Sequence, residues 1–277
     1  MRESLEQLLT HWENDESLAS VRQFRGRSKV LDRLDAHSPE WMETTLEPRA
    51  RKLCERLEAA NEELYEAIRN EIEQGVCPRM FAELLESPSD PRGIGFDELD
   101  ELVSGVLRLD EPVDMPLRAG PESVFYQPTP ARHIFALIAA AAITASDVVV
   151  DLGSGLGHVP LLVSACTGAH AMGVELEPDY VKSARECARR LNLSRVSFVE
   201  ADARNADYAN GTVFYLYTPF TGSVLGEVMD ALQEQAAARA IRVCTFGPCS
   251  LVAGEEPWLE AMTTQVTDRV CVFVGRR

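Results

Sequence analysis

A chain of 277 residues, 45% hydrophobic and 26% charged, can bury one large or two modest cores. Its net charge of −17, with Arg22 to Lys29 as the densest basic stretch, shows no polyanion-binding footprint and disfavours DNA or RNA as substrate. The seven cysteines include no C-x-x-C pair and His and Cys never cluster at zinc spacing, which excludes a disulfide frame and predicts no metal site. Reduced thiols and the lack of a signal peptide suggest a cytoplasmic protein. The longest apolar stretch, Ile134 to Ile143, is too short to cross a bilayer, so no membrane partner is expected.

Residues 1 to about 120 read as helical and acidic, with 27 Asp and Glu against 15 Lys and Arg. Leu5, Leu8, Leu9 and Trp12 make a short apolar stripe. Pro48 suits a first helical turn and Gly75 a stop, and between them Leu53, Leu57, Leu64, Ile68 and Ile72 recur at helical spacing. Leu99, Leu102, Val103, Val106 and Leu107 form a third stripe. These stripes predict a small helical bundle that could cap a catalytic domain, hold substrate or form a homodimer. Leu109 to Pro121, with three prolines, a glycine and four charges, reads as a connector.

Beyond it, strand and helix signals alternate, which predicts a parallel sheet covered by helices on both faces. Pro130 can start a helix through Ile134, Leu137 and Ile138, with Thr129 as its N-cap. Strands are expected at Val148 to Leu152, Ala171 to Leu176, Val196 to Val199, Thr212 to Tyr217 and Ile241 to Phe246. A helix opened by Pro178 precedes the third strand, and a helix through Val224, Leu225, Val228 and Leu232 follows the fourth. Thr263 to Val266 and Val270 to Val274 read as a closing hairpin.

The first strand runs into Asp151-Leu152-Gly153-Ser154-Gly155-Leu156-Gly157, and the apolar helix from His158 to Thr167 follows. Glycines are needed where backbone must turn sharply and approach a ligand with no Cβ in the way. A strand feeding such a turn and a helix N-terminus builds a nucleotide-type site. The dinucleotide fingerprint G-x-G-x-x-G fails here, because His158 takes its sixth position. Glu175 ends the second strand 18 residues beyond Gly157, where a carboxylate can accept both hydroxyls of a ribose.

The spacing G-x-G-x-G two residues after Asp151 resembles the first motif of class I S-adenosyl-L-methionine (SAM) methyltransferases. The likeness extends from about Glu122 to the C-terminus. It implies a Rossmann-like α/β fold, a seven-stranded sheet with the last strand antiparallel, preceded by an N-terminal α-helical domain. The expected domains are residues 1–120 and 121–277. The resemblance implies SAM as cofactor and S-adenosyl-L-homocysteine as product. Gly153, Ser154, Gly155 and Gly157 would form the cofactor loop, with Asp151 bracing it from beneath and attracting the methionine ammonium. Glu175 would hold the ribose, and Asp202 with the Ala203 backbone the adenine. Phe125 to Pro130, with Tyr126 and Thr129, would fold over the cofactor. This loop, the Asp-Leu-Gly-Ser-Gly-x-Gly run and Gly173-Val174-Glu175 are similar to the non-SET histone lysine methyltransferases.

Where amine-methylating relatives carry Asn-Pro-Pro-Phe or Asp-Pro-Pro-Tyr, this chain has Tyr217-Thr218-Pro219-Phe220. Tyr217 is the one candidate to touch the reacting methyl. His158 is a candidate base that also reads as a solvent-facing helix start, and no base is assigned. The expected acceptor is an amine on a protein or small molecule. A nicotinamide-dependent oxidoreductase and a non-enzymatic SAM-binding scaffold are the competing readings.

Overall fold

The computed structural model describes residues 4–20, 23–42, 44–86, 95–110, 112 and 120–276. Most of the expected connector, residues 111 and 113–119, lies outside them. The chain divides into two compact units, Met1–Arg69 and Asn70–Arg277.

In the first unit, α1 (Leu5–Glu13) starts with a capping box in which Ser4 and Gln7 satisfy each other's backbone amides. It packs with α2 (Phe24–Ala36), α3 (Ser38–Trp41) and the long α4 (Glu47–Glu73) around Leu9, Trp12, Leu18, Val30, Leu34, Leu53 and Leu57. The fully buried Arg27 donates from Nε to Asn61 Oδ1 at 2.5 Å and from Nη1 to the Leu18 and Ser20 carbonyls at 2.9 and 2.6 Å. An arginine and Ser28 on the inward face of α2 break its apolar stripe, so the helix carried no periodic signal.

The compact units part at residue 69, whereas the sequence placed a boundary near 120. Helices α5 (Arg79–Glu86) and α6 (Glu98–Leu107) pack on α7 (Ala131–Ala140), and Phe81 meets Phe135 edge to face at 5.4 Å. The end of α6 is held by Cys187 and Arg190, which donate to the Leu107 carbonyl at 3.2 and 3.1 Å. Thr129 is not the N-cap of α7. Pro130 occupies that position, and the first helical amide, Ala131, donates to Asp100 Oδ1 at 2.7 Å, a cap supplied from α6. The Thr129 hydroxyl is paired with the Tyr215 hydroxyl at 3.1 Å instead.

The sheet has seven strands in the order β3-β2-β1-β4-β5-β7-β6: β1 (Val148–Leu152), β2 (His170–Glu175), β3 (Val196–Glu200), β4 (Val213–Leu216), β5 (Arg242–Thr245), β6 (Leu259–Ala261) and β7 (Cys271–Gly275). The first five run parallel, and β7 lies antiparallel between β5 and β6. This is the Rossmann-like α/β sheet expected of the sequence. Helices α8 (His158–Thr167), α9 (Pro178–Arg190), α10 (Gly222–Ala238) and α11 (Cys249–Glu255) complete the unit. Val150, Leu152, Phe214, Leu216, Val228, Leu232 and Val243 belong to the main core between sheet and helices.

One strand differs from expectation. Residues 263–266 are not paired as a strand, and β6 forms four residues earlier. Side chains take over the backbone hydrogen bonds there: Thr263 Oγ1 accepts the Val272 amide at 2.9 Å, and Cys271 Sγ accepts the Val266 amide at 3.3 Å.

Candidate functional site

At the carboxyl end of β1 the chain turns through Gly153, Ser154, Gly155 and Gly157, at φ values of 79°, 53° and 84° for the glycines. Gly153 and Ser154 line a cavity of about 1070 Å³ at the strand tips, together with Tyr126, Thr129, Asp151, Glu175, Asp202, Ala203 and Tyr217. Gly155 lies under the Tyr126 ring, which occupies the place a Cβ would take. Gly157 faces the other way: a Cβ there would overlap the Phe198 ring and lie 3.1 Å from Ala184 Cβ. Left-handed backbone and tight packing both act at Gly157, so Gly157→Ala is expected to destabilise the fold by about 2–5 kcal/mol. Thermal or urea unfolding of the variant measures this, and a change below about 1 kcal/mol would contradict the packing.

Glu175, not Asp151, braces the loop. Its Oε2 accepts the Gly155 amide at 2.7 Å, and its Oε1 accepts the Leu176 and Glu177 amides at 2.7 and 3.0 Å. Burial raises its pKa, and the three amides oppose that rise. Asp151 is 4% exposed and lines the cavity. Burial, then the charge of Glu175, raise its pKa well above the carboxylate range. The Ser154 hydroxyl, on the same cavity, is buried without a hydrogen-bond partner among the described residues. With Glu175 close by, Asp151 gives the cavity an acidic wall that attracts a cation and repels a pyrophosphate, so the site favours a positively charged ligand over a dinucleotide.

Asp202 is already engaged. Arg204 grips both its carboxylate oxygens, with Nη2 2.6 Å from Oδ2, and the Arg204 amide donates to Oδ1 at 2.9 Å. These bonds hold the Asp202 carboxyl below its ordinary range. An adenine amino group would have to share Asp202 with this guanidinium. Arg204 lines the cavity as well, and sequence reasoning missed it.

The loop after β4 forms the far wall. Tyr217 is half-buried and its ring stacks on Phe246 at 4.4 Å and 26°. Thr218 is 7% exposed and sits at φ 36°, a conformation costing a non-glycine residue about 1–3 kcal/mol. Two bonds hold it there: its hydroxyl donates to the Phe246 carbonyl at 3.0 Å and accepts the Cys249 amide at 3.1 Å. The Thr218 hydroxyl is therefore not offered to the cavity. No sequence signal could have shown this strain.

His158 does not face bulk solvent. It is half-buried at the cavity wall, its Nδ1 3.5 Å from the Tyr126 hydroxyl, and burial lowers its pKa to about 4. It is neutral near pH 7. Cys244 and Cys249 are buried, and burial raises both thiols, Cys244 to about 12, so neither is a ready nucleophile. Among the described residues no group of His, Cys, Asp and Glu could hold a metal ion, and no helix is long and apolar enough to cross a membrane.

Residues 149–247 match the family model described as a methyltransferase domain. A sterol 24-C-methyltransferase of Eremothecium gossypii is 29% identical over 111 residues, 37% of this chain and 30% of that protein. The chain thus spans less than a third of the length of this curated relative. Among solved structures, an RNA methyltransferase from Salinibacter ruber in complex with S-adenosyl-L-homocysteine is 26% identical, covering 54% of this chain and 92% of that one at a TM-score of 0.44. A precorrin-6y C5,15-methyltransferase from Geobacter metallireducens is 16% identical, covering 54% and 89% at a TM-score of 0.41. The family model supports a methyltransferase domain over residues 149–247, and the narrower likeness to the histone lysine enzymes is not among these findings. Nothing in these comparisons supports the charge-based exclusion of nucleic acid. A methyltransferase domain implies SAM as cofactor. The residues present fit it: the buried Asp151 carboxylate in the cavity suits a cationic ligand, and the strand-tip cavity has room for a nucleoside and an amino acid.

Proposed function

We propose that the chain is a SAM-dependent methyltransferase that acts on an amine of a protein or small molecule. The observation that carries this reading is the buried Asp151 carboxylate in the cavity beside the glycine turn. When bound, SAM supplies a methyl group made electrophilic by the adjacent sulfonium. In this reading Asp151 holds the ligand's ammonium, and Glu175 offers its remaining lone pairs to the ribose. Ala203 and Asp202 flank the adenine, and Tyr126 closes over the turn. Gly153 and Ser154 line the ligand's bed, while Gly155 and Gly157 keep the turn in shape beneath it.

Residues 121–277 would carry the chemistry and residues 1–120 would assist it. The acceptor would lie against Tyr217, Pro219, Phe220 and Pro248, an apolar wall with one hydroxyl, that of Tyr217. Such a wall favours the neutral amine, the form that attacks. A lysine amine has a pKa of about 10.4 in water, so desolvation lowers the cost of losing its proton. The Tyr217 hydroxyl can orient the nitrogen, and alignment then does most of the work. The motif likeness to the non-SET histone lysine methyltransferases and the charge of −17 favour a cationic partner as the bearer of that amine.

Titration calorimetry with SAM, followed by radioactive methyl labelling of a cell extract, tests the proposal. SAM binding tighter than about millimolar, with label entering protein or small amines, is the expected result. Absence of binding would refute it, and label confined to nucleic acid would refute the amine acceptor alone.

A further inference from the structure

Besides its end, where Thr129 pairs with Tyr215, the segment Glu122 to Thr129 is fastened at two separate places. In its middle, Tyr126 lies on Gly155 of the cofactor turn and against Tyr180, ring centroids 4.9 Å apart. At its start, Glu122 is tied to the opposite wall. Glu122 Oε2 accepts the Ser223 hydroxyl at 2.9 Å and the Val224 amide at 3.0 Å, which caps the first turn of α10. The Glu122 carbonyl accepts the Thr221 amide at 2.8 Å. The Val124 amide donates to the Pro219 carbonyl at 3.0 Å, and Ser123 bridges Phe220 in antiparallel fashion. Gly222, at φ 58°, makes room for this carboxylate, since a Cβ there would stand 2.6 Å from Glu122 Oε1. Strap and acceptor wall are therefore one hydrogen-bonded piece.

Between the tie at Val124 and Tyr126 runs only Phe125, so little slack separates the two walls. Phe125 is 82% exposed and Val124 45%, so packing of their side chains does not hold the strap in place. The strap is held by Tyr126 at the cofactor turn, by Thr129 against Tyr215, and at α10 by the Glu122 carboxylate with the backbone ties of residues 122–124. A ligand that fixes Tyr126 must then fix the residues tied to Glu122.

We propose that Glu122 is a positioning residue that couples occupancy of the cofactor cavity to order in the acceptor wall, Tyr217 to Val224. This rests on the reading of the cavity as a SAM site. Glu122 touches neither reacting atom; it transmits the seating of Tyr126 to the loop that would present Tyr217.

Hydrogen–deuterium exchange with and without S-adenosyl-L-homocysteine tests the coupling in the full chain. In the wild type the ligand should slow exchange both at residues 153–157 and at residues 220–226. In Glu122→Ala the first protection should persist and the second disappear, while affinity weakens about fivefold, the equivalent of one lost helix cap. Glu122→Gln keeps an oxygen that accepts the Val224 amide and should restore most of the second protection. Should Glu122→Ala unfold, Ser223→Ala removes one tie and should reduce the second protection alone. Undiminished protection at 220–226 in Glu122→Ala, or in Ser223→Ala where that variant stands in for it, would overturn the coupling and leave the SAM reading intact. No binding by the wild type would overturn both.

Discussion

Glu175→Ala is expected to weaken SAM binding by a factor of about 1,000 or more. The carboxylate has two duties, and the substitution removes both. Within the chain it accepts three backbone amides, from Gly155, Leu176 and Glu177. Each buried N–H left without an acceptor costs about 1–3 kcal/mol, and the glycine turn loses the bond that fixes its height over β1. Toward the ligand, two charge-assisted bonds from ribose hydroxyls contribute about 1.5–3 kcal/mol each. A thousandfold change corresponds to about 4.1 kcal/mol, within reach of either set. Glu175→Gln separates the two. Its amide keeps one oxygen for the Leu176 and Glu177 amides but turns an N–H toward Gly155 or the ribose. An intermediate loss is expected, about 10–100-fold. Calorimetric titration measures both variants, and thermal melts show how much of the loss comes from the turn itself. A Glu175→Ala protein that binds SAM within threefold of the wild type would remove the ribose anchor from the site.

How much of this was legible beforehand follows from where each feature gets its cause. Strands β1 and β4 were readable because central strands covered on both faces are unbroken apolar runs, such as Val148-Val149-Val150, while the edge strand β3 alternates about Phe198. The glycine turn and Glu175 were readable because strand, turn and carboxylate lie close along the chain. What escaped depends on partners distant in sequence. Asp100 caps α7 from 31 residues away, which frees Thr129 to meet Tyr215, 86 residues on. Thr218 keeps its strained backbone because Phe246 and Cys249, 28 and 31 residues later, hold its hydroxyl. Arg204 is the instructive exception. It lies two residues from Asp202, yet nothing in the sequence says that its guanidinium folds back onto that carboxylate rather than into solvent.

The stabilisation conferred by the ligand should grow as pH rises, and Asp151 is the cause. In the free chain, burial and the neighbouring Glu175 raise the Asp151 pKa well above the carboxylate range. A carboxyl raised in the folded state contributes stability that is fully present below its unfolded value of about 3.9. That contribution is lost as pH climbs through the raised value, because the folded chain must then give up a proton it holds more tightly than the unfolded chain does. A cationic ammonium beside Asp151 reverses the preference, stabilises the ionised form and returns the pKa toward its ordinary range. Ligand binding therefore releases a proton between the two values, and within that window each pH unit adds up to about 1.4 kcal/mol to binding. S-adenosyl-L-homocysteine keeps the ammonium and serves as the probe. Its shift in melting temperature should increase from pH 5 to pH 8, and titration in buffers of different ionisation enthalpy should show proton release. Asp151→Asn should be more stable than the wild type at pH 8 when unliganded, bind the probe about 10–100-fold more weakly and release no proton. A wild-type shift that is flat across this range, or proton release that survives Asp151→Asn, would move the cation-binding role away from Asp151 and take with it the observation on which the cofactor assignment rests.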